Sequence, residues 1–468
     1  MELSRKEKFS NRRSLGFLLG ALAFFVLLLI LPRPSGLSAS GQRVIAVVIT
    51  VVLLWATEAL PVALSSILAL VLLATTRGVS STADLFAGFA SPLPYFLLAI
   101  LVMSQAVRKS GLADRMAGWL IRGGTGHSGR LYLKLFLSMP FLALVLPSAI
   151  TRNAILIPAY EKGFRRLGLA RGDPLPRGIL LSLGVLHPLA SSALLTGGIN
   201  SMTTATLLGG FSWLRWFVLM ALPYWTLLAV GGGLLSLLYR QKKMTPLESS
   251  RTPTGAGRLS RTESKVLLIV GATSVLWLTD FVHGLNPVIP ALLAAAVLLL
   301  PYLGILNWRD FEESLSWSMF LVLGVSLTLA QALSSSGAAQ WFAREAILAL
   351  SARVLAPEWI LVFLVVLVSV VHLTITNMTA CISLLIPVAA TFGRSLGLNP
   401  VVLGLIVGIS VDAVILYPLQ TTTNLMAYQL GYFSAWDVFK VGVLMLILTA
   451  LVVAFLAVPY WRALGLAL

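Results

Sequence analysis

The sequence predicts an all-α polytopic membrane protein with about eleven membrane-crossing helices and two re-entrant helical hairpins, set in two inverted-topology repeats. Three observations lead there. The 468 residues are 58% hydrophobic and 11% charged, against roughly 25% charged in a soluble chain, and the mean hydropathy is +0.93. Two long apolar stretches are interrupted at their middles by polar residues, and motifs lying before residue 240 recur after residue 265.

A membrane span needs about 20 apolar residues, so crossings fill the chain and leave no room for a large soluble domain. Soluble enzymes and nucleic-acid binders are thereby excluded. The net charge of +17, from 34 Lys and Arg against 17 Asp and Glu, records orientation by basic cytoplasmic loops. The single cysteine, Cys381, permits no internal disulfide. No P-loop, kinase, metalloprotease or nucleophile-elbow motif occurs, which argues against an ATP-driven pump or a membrane enzyme.

Residues 1–42 hold an N-terminal tail and the first span. The tail MELSRKEKFSNRR precedes an apolar run from about Leu15 to Pro32 that ends without a small-residue cleavage site, so the run is read as retained rather than as a signal peptide. Five basic residues, Arg5, Lys6, Lys8, Arg12 and Arg13, place the N-terminus in the cytoplasm. Residues 43–239 form the first repeat, with runs at about 43–58, 60–76, 93–107, 178–196 and 213–238 and an interrupted stretch at 131–166. Residues 240–265, with seven basic residues, two acids, Pro246 and Pro253, read as a flexible cytoplasmic linker. Residues 266–468 form the second repeat, with runs at about 266–282, 287–302, 317–333, 400–417 and 437–459 and an interrupted stretch at 358–392.

The interrupted stretches are FLALVLPSAITRNAILIP, Phe141 to Pro158, and LVSVVHLTITNMTACISLLIP, Leu367 to Pro387. Polar, non-helical backbone at membrane depth survives only inside protein or beside a wet cavity. Each is therefore read as a re-entrant hairpin tipped by its polar cluster, with an uninterrupted span as the alternative. Repetition supports two halves. Trp55-Ala56-Thr57-Glu58 recurs as Trp277-Leu278-Thr279-Asp280, while Ile157-Pro158 and Leu167-Gly168-Leu169 recur 229 positions later as Ile386-Pro387 and Leu396-Gly397-Leu398. Five spans in each half is an odd number, so the halves must be inverted. Basic residues crowd the first hairpin, and the second has only Arg344, Arg353 and Arg394 near it. Inverted repeats with broken helices are the architecture of secondary transporters, whose helix ends at the breaks attract anions and cations.

With Trp55-Ala56-Thr57-Glu58-Ala59-Leu60-Pro61 near the start, Thr376-Asn377-Met378-Thr379-Ala380 at the second tip, Pro418-Leu419-Gln420-Thr421-Thr422-Thr423-Asn424-Leu425 at the last break and GYFSAWDVFKVG after it, the chain resembles the divalent anion/sodium symporter family along nearly its whole length. The resemblance implies an elevator-type transporter of the ion-transporter superfamily, a homodimer in membrane lipid, carrying small anions (di- or tricarboxylates, or sulfate) with sodium as the coupling ion or by exchange of anions, and no other cofactor. A bacterial inner membrane is the implied location. Carried onto this chain, it implies substrate contacts at Ser148, Arg152, Asn153, Asn200, Asn377, Thr379, Thr422, Thr423 and Asn424, and sodium sites at Ser148, Gly198, Thr376, Asn377, Ala380 and Thr421. The second-half residues are expected to converge on one midplane cavity. The first half departs from the pattern: Ser148-Ala149-Ile150 stands where the family has Ser-Asn-Thr, and Thr196-Gly197-Gly198-Ile199-Asn200 matches the broken-span motif only loosely.

Five residues carry charge or protons. Arg152 puts a permanent cation in an apolar hairpin, and no Asp or Glu lies between Asp114 and Glu161 to pair with it. Either it snorkels to the cytoplasmic edge or pairs with hairpin-end carbonyls, or it is a fixed counter-ion in place of one sodium, its fork suited to carboxylate or sulfate. Asp412, placed about two turns before the break at Gln420, is a coupling-ion or proton site or a structural partner for a neighbouring helix. His187, before Pro188, is a proton relay or a histidine bonded at a kink. Glu58 and Asp280 are read as capping or bridging helices. An alternative function is a sodium/proton antiporter of the same superfamily with Asp412 as carrier.

Overall fold

The computed structural model describes residues 2–121, 128–146, 148–241, 258–351, 357–375 and 377–468. Among them there is no strand, and the apolar runs named above are built of helix, with interruptions inside 178–196 and 400–417. Among the described residues six helices are long and apolar enough to cross a membrane: Ala39–Thr57, Ser128–Val145, Trp213–Leu238, Trp317–Ser335, Met378–Ser395 and Ala435–Ala463. Shorter apolar helices include Val62–Thr75, Val288–Leu298 and Pro400–Ala413. The first helix runs from Glu2 to Ile30, earlier than the apolar pattern begins, because Glu, Arg and Lys in the tail are good helix formers that continue the turn without needing burial. Most of the predicted linker, residues 242–257, lies outside the described residues.

Two compact units divide the chain, Met1–Pro94 with Ser316–Gly408 and Gly465–Leu468, and Tyr95–Leu315 with Ile409–Leu464. Each draws on both sides of the linker. In the first unit Trp317–Ser335 is central, packing against Met378–Ser395, Val62–Thr75 and the short helix Ala87–Ala90. Gly88 permits that approach: a Cβ there would overlap the Gly324 carbonyl, and the Gly88 N–H donates to Thr328 Oγ1 at 3.1 Å. In the second unit Trp213–Leu238 is central, packing against Ser128–Val145, His187–Ser192 and Ala435–Val452. Its buried tryptophans find acceptors, Trp216 Nε1 on the Ser192 carbonyl at 3.1 Å and Trp461 Nε1 on the Leu219 carbonyl at 2.7 Å. Asp280 accepts from the Trp213 N–H at 2.5 Å and so bridges to that helix as expected. Glu58 instead ends Ala39–Thr57 as an exposed residue in the left-handed region, φ 49°.

The interrupted stretches are helix, break, helix. Ser128–Val145 gives way to Ala149–Arg166, and Pro357–Thr374 to Met378–Ser395. The second helices of the two pairs correspond residue for residue at a separation of 229. Each is 18 residues long. Ser148 Oγ caps one by accepting from the Thr151 N–H at 3.2 Å, and Asn377 Oδ1 caps the other by accepting from the Ala380 N–H at 2.9 Å. Both end at a left-handed glycine, Gly168 and Gly397, after which Leu169 and Leu398 donate back to Phe164 and Gly393.

At one end of the second unit, outside the apolar run, Arg115 grips Glu263 with a two-pronged ion pair, Nε to Oε1 at 2.8 Å and Nη2 to Oε2 at 2.9 Å. Glu263 also closes a capping box with Ser260. The Arg115 hydrogen bond, and then the Ser260 N–H, hold the Glu263 carboxyl down at about 2. A carboxyl depressed in the folded state adds stability above its ordinary pKa of 4.5 and loses it as pH falls toward 2. The melting temperature of purified protein should therefore exceed that of Glu263→Gln at pH 7, by a margin that narrows at pH 3 and closes only as pH falls toward 2. A gap unchanged between pH 7 and pH 3 would contradict the pairing.

Candidate functional site

The second unit concentrates its buried polar side chains at two helix breaks, and the sequence causes of both breaks are visible. In the first, Pro188 has no N–H to give the Gly184 carbonyl four residues back. The helix widens there into a π turn over Ser182–Leu186, which leaves carbonyls needing outside donors. Asn153 Nδ2 donates to the Leu183 carbonyl at 2.9 Å, and Thr423 Oγ1 to the Gly184 carbonyl at 3.2 Å. Gly184 has to be glycine for this, since a Cβ would meet Asn424 Oδ1 at 2.6 Å.

In the second break the helix Pro400–Ala413 stops and the chain unwinds through residues 414–417 before Pro418–Gln420 and the helix Thr422–Tyr428. Gln420 stands in for the lost helix bonds: its Oε1 accepts from the Leu416 N–H at 2.7 Å and its Nε2 donates to the Val414 carbonyl at 3.3 Å. Thr421 Oγ1 caps the next helix by accepting from the Asn424 N–H at 3.2 Å, and Asn424 Nδ2 donates to the Tyr417 carbonyl at 3.4 Å. Asn424 Oδ1 is buried without a hydrogen-bond partner. Gly442 brings Ala435–Val452 against the Ile415 carbonyl, where a Cβ would overlap.

Arg152, Asn153 and His187 join the first break to the hairpin. All three are fully buried. Arg152 Nε lies 3.0 Å from His187 Nε2 and Asn153 Oδ1 lies 2.6 Å from His187 Nδ1. An arginine can only donate, so His187 accepts at Nε2, carries its proton on Nδ1 and gives that hydrogen to Asn153. Asn153 Nδ2 reaches the Thr423 carbonyl as well, at 3.2 Å, linking hairpin, first break and second break. Arg152 Nη1 donates to the Leu146 carbonyl, and Nη2 has no partner among the described residues. Burial rules out the snorkelling expected as one reading of Arg152, while the hairpin-carbonyl half of that reading holds. Among the described residues Arg152 forms no ion pair. It also borders a cavity of about 10 Å³ whose walls are otherwise apolar, among them Met116, Leu142 and Ile155.

Asp412 sits elsewhere in the same unit. It lies in the last turn of its helix, one residue from the break rather than two turns before it, because the unwinding begins at Val414 instead of Gln420. Asn200 Nδ2 donates to Oδ1 at 2.7 Å, Tyr224 OH donates to Oδ2 at 2.8 Å, and the Ser192 hydroxyl bonds the same carboxylate.

Of the residues singled out in sequence, Arg152, Asn153, His187, Thr423 and Asn424 are brought together, and Asn200 meets Asp412. Ser148 and Thr421 are helix caps, Thr422 is exposed, and Gly198 is the extended turn residue whose carbonyl accepts from Ser201 Oγ at 3.0 Å. Asn377, Thr379 and Ala380 belong to the first unit, where Asn377 is a cap and the other two are buried. Thr376 lies outside the described residues. Sequence reasoning missed Tyr224, Ser192 and Gly184. The usable signals were a tyrosine after Pro223 in a long apolar helix, and a glycine four residues before Pro188.

The comparisons agree with this architecture. Residues 13–467 match the sodium:sulfate symporter transmembrane region. The chain is 23% identical to the sodium-dependent dicarboxylate transporter SdcS of Staphylococcus saprophyticus over 95% of its own length and 91% of that protein's. It is 24% identical to the putative malate transporter YflS of Bacillus subtilis over 74% of each chain. Among solved structures it shares its fold with the YdaH transporter of Alcanivorax borkumensis, at a TM-score of 0.54 and 18% identity over 82% of this chain and 88% of that one. With its match running from residue 13 to residue 467, the chain belongs to the sodium:sulfate symporter family of multi-pass membrane transporters, and it is not an enzyme.

Proposed function

We propose that the protein is a secondary active transporter of small di- or tricarboxylates, or sulfate, in which Arg152 is a fixed cation for the anion. The observation that carries this reading is a fully buried guanidinium with one free nitrogen and no carboxylate partner among the described residues. A permanent charge in an apolar hairpin is costly until an anion meets it, and the guanidinium fork fits carboxylate or sulfate oxygens. The family and the names of its relatives support anion transport with sodium as coupling ion. The altered first tip, Ala149 and Ile150, removes side-chain oxygens that a sodium ion would need, so coupling to sodium is weak here and sodium's place belongs to Thr421 and to the second tip.

Asn377, Thr379 and Ala380 join the proposal from the internal repeat, Thr423 and Asn424 from their place at the two breaks, and Asn200 from its bond to Asp412. Inverted repeats, a homodimer and an elevator motion complete it from the family resemblance. The N-terminus and the basic linker face the cytoplasm of a bacterial inner membrane by the positive-inside rule.

Two experiments test this reading. Uptake of labelled succinate and sulfate into proteoliposomes should persist when sodium is replaced by choline. The half-saturating concentration should rise in Arg152→Lys and rise further in Arg152→Ala, by about 30-fold or more, because losing one member of a buried charge pair costs about 2–5 kcal/mol. Steep sodium dependence in wild type with unaffected Arg152→Ala would overturn it. For orientation, a cysteine at Ser250 in a Cys381→Ser background should resist an impermeant maleimide in intact cells and react after permeabilisation; labelling in intact cells would reverse the topology.

A further inference from the structure

We propose that Asp412 is a proton-binding site that loads one proton together with the transported anion, its cage of Ser192, Asn200 and Tyr224 rearranging as the proton arrives. The proposal rests on the transport reading above and assigns that transport a second coupling ion.

The cage is built for a carboxylate that changes charge. Asp412 is 1% exposed, and it forms no ion pair with any described cation. Its neighbours are donors: the Asn200 amide nitrogen at 2.7 Å, the Tyr224 hydroxyl at 2.8 Å and the Ser192 hydroxyl. Donors hold the ionised form. A sodium ion would need oxygen lone pairs aimed at it, and here an amide nitrogen and two hydroxyl hydrogens face the carboxylate instead. A proton needs no such shell. When it binds, the new O–H becomes a donor, and one hydroxyl has to turn from donating to accepting, which Tyr224 and Ser192 are able to do and an amide nitrogen is not.

The positions of these partners give the change its leverage. Ser192 ends the helix His187–Ser192 and Asn200 opens Ile199–Leu207, so the carboxylate ties together the two helices that flank residues 193–198, just after the first break. Asp412 itself is one residue from the unwound segment of the second break. Neutralising it loosens ties to the 193–198 segment and to the second break at once.

The surrounding titratable and charged groups leave Asp412 to act alone. His187, on the helix that carries Ser192, is engaged with Arg152 and Asn153. Arg215, on the helix that carries Tyr224, is exposed. On Ala435–Val452, which packs on the unwound segment, Asp437 pairs with Arg177 at 3.9 Å and Lys440 lies over the Trp436 ring. The step balances simply. The carboxylate takes a proton from bulk water on the loading side, the same O–H bond breaks on the release side, and one proton crosses with each anion, a net charge of −1 for a dianion, without electron transfer.

The test uses purified full-length protein in sodium-free proteoliposomes, with labelled succinate and sulfate as probes. Counterflow at equal pH on both sides reports transport itself. Net uptake under a pH gradient, with pyranine inside the vesicles, reports the proton. Wild type should show counterflow, accumulate anion up to about tenfold more per unit of inward proton gradient, as one proton per anion requires, and acidify the lumen as it does so. Asp412→Asn should keep counterflow and lose both gradient-driven uptake and acidification. Tyr224→Phe, which keeps the carboxylate but removes a donor to its ionised form, should move the pH profile of uptake to higher pH. Counterflow without any proton response in wild type, or an unchanged proton response in Asp412→Asn, would overturn the proton site while leaving the transport reading intact. Absence of counterflow for every anion in wild type would overturn both. If Asp412→Asn does not fold, a Tyr224→Phe profile identical to wild type overturns the proposal by itself.

Discussion

Inside a bilayer no water is present to satisfy a broken helix, so every interruption of backbone bonding has to be answered by another part of the protein. That constraint organises the second unit. Pro188 opens the first break, and Asn153 and Thr423 answer its carbonyls. The second break is answered by its own Gln420 and Asn424. Because Asn153 also reaches the Thr423 carbonyl, the hairpin and both breaks form one hydrogen-bonded assembly. The helices around it need only be apolar and well packed, with glycine at Gly184 and Gly442 where backbones approach closely.

Two charges sit within this unit in different environments. Arg152 is permanently positive, held by neutral partners, and has one nitrogen left over. Asp412 is surrounded by donors and carries a charge that a proton can cancel. In the proposed transport cycle the fixed charge recognises the cargo and the switchable one ties that recognition to a gradient.

Much of this was legible before the structure. The all-helical membrane architecture followed from composition, and both helix-break-helix elements from polar clusters inside apolar runs. The repeat at a separation of 229 proved accurate to the residue, in the paired caps Ser148 and Asn377 and the paired glycines Gly168 and Gly397. What sequence could not supply was who answers whom. Asn153 and Leu183 are distant in sequence, as are Asp412 and Tyr224, and periodicity says nothing about such pairings. The position of Asp412 relative to its break was misjudged because Gln420 marks the end of the unwound segment and not its start. Apolar Val414, Ile415 and Leu416 give no sign of unwinding, since Gln420 satisfies two of their backbone groups from a distance.

The central claim is that the anion is recognised by a cation the chain itself holds, and seeing the bound anion tests it most directly. A cryo-electron microscopy map of the protein in lipid nanodiscs, with saturating succinate and no sodium, should show substrate density within about 3 Å of an Arg152 guanidinium nitrogen, a hydrogen-bond distance. Density met only by hydroxyl and amide groups of the breaks, with Arg152 still bonded to His187 and the Leu146 carbonyl and remote from the anion, would contradict the account.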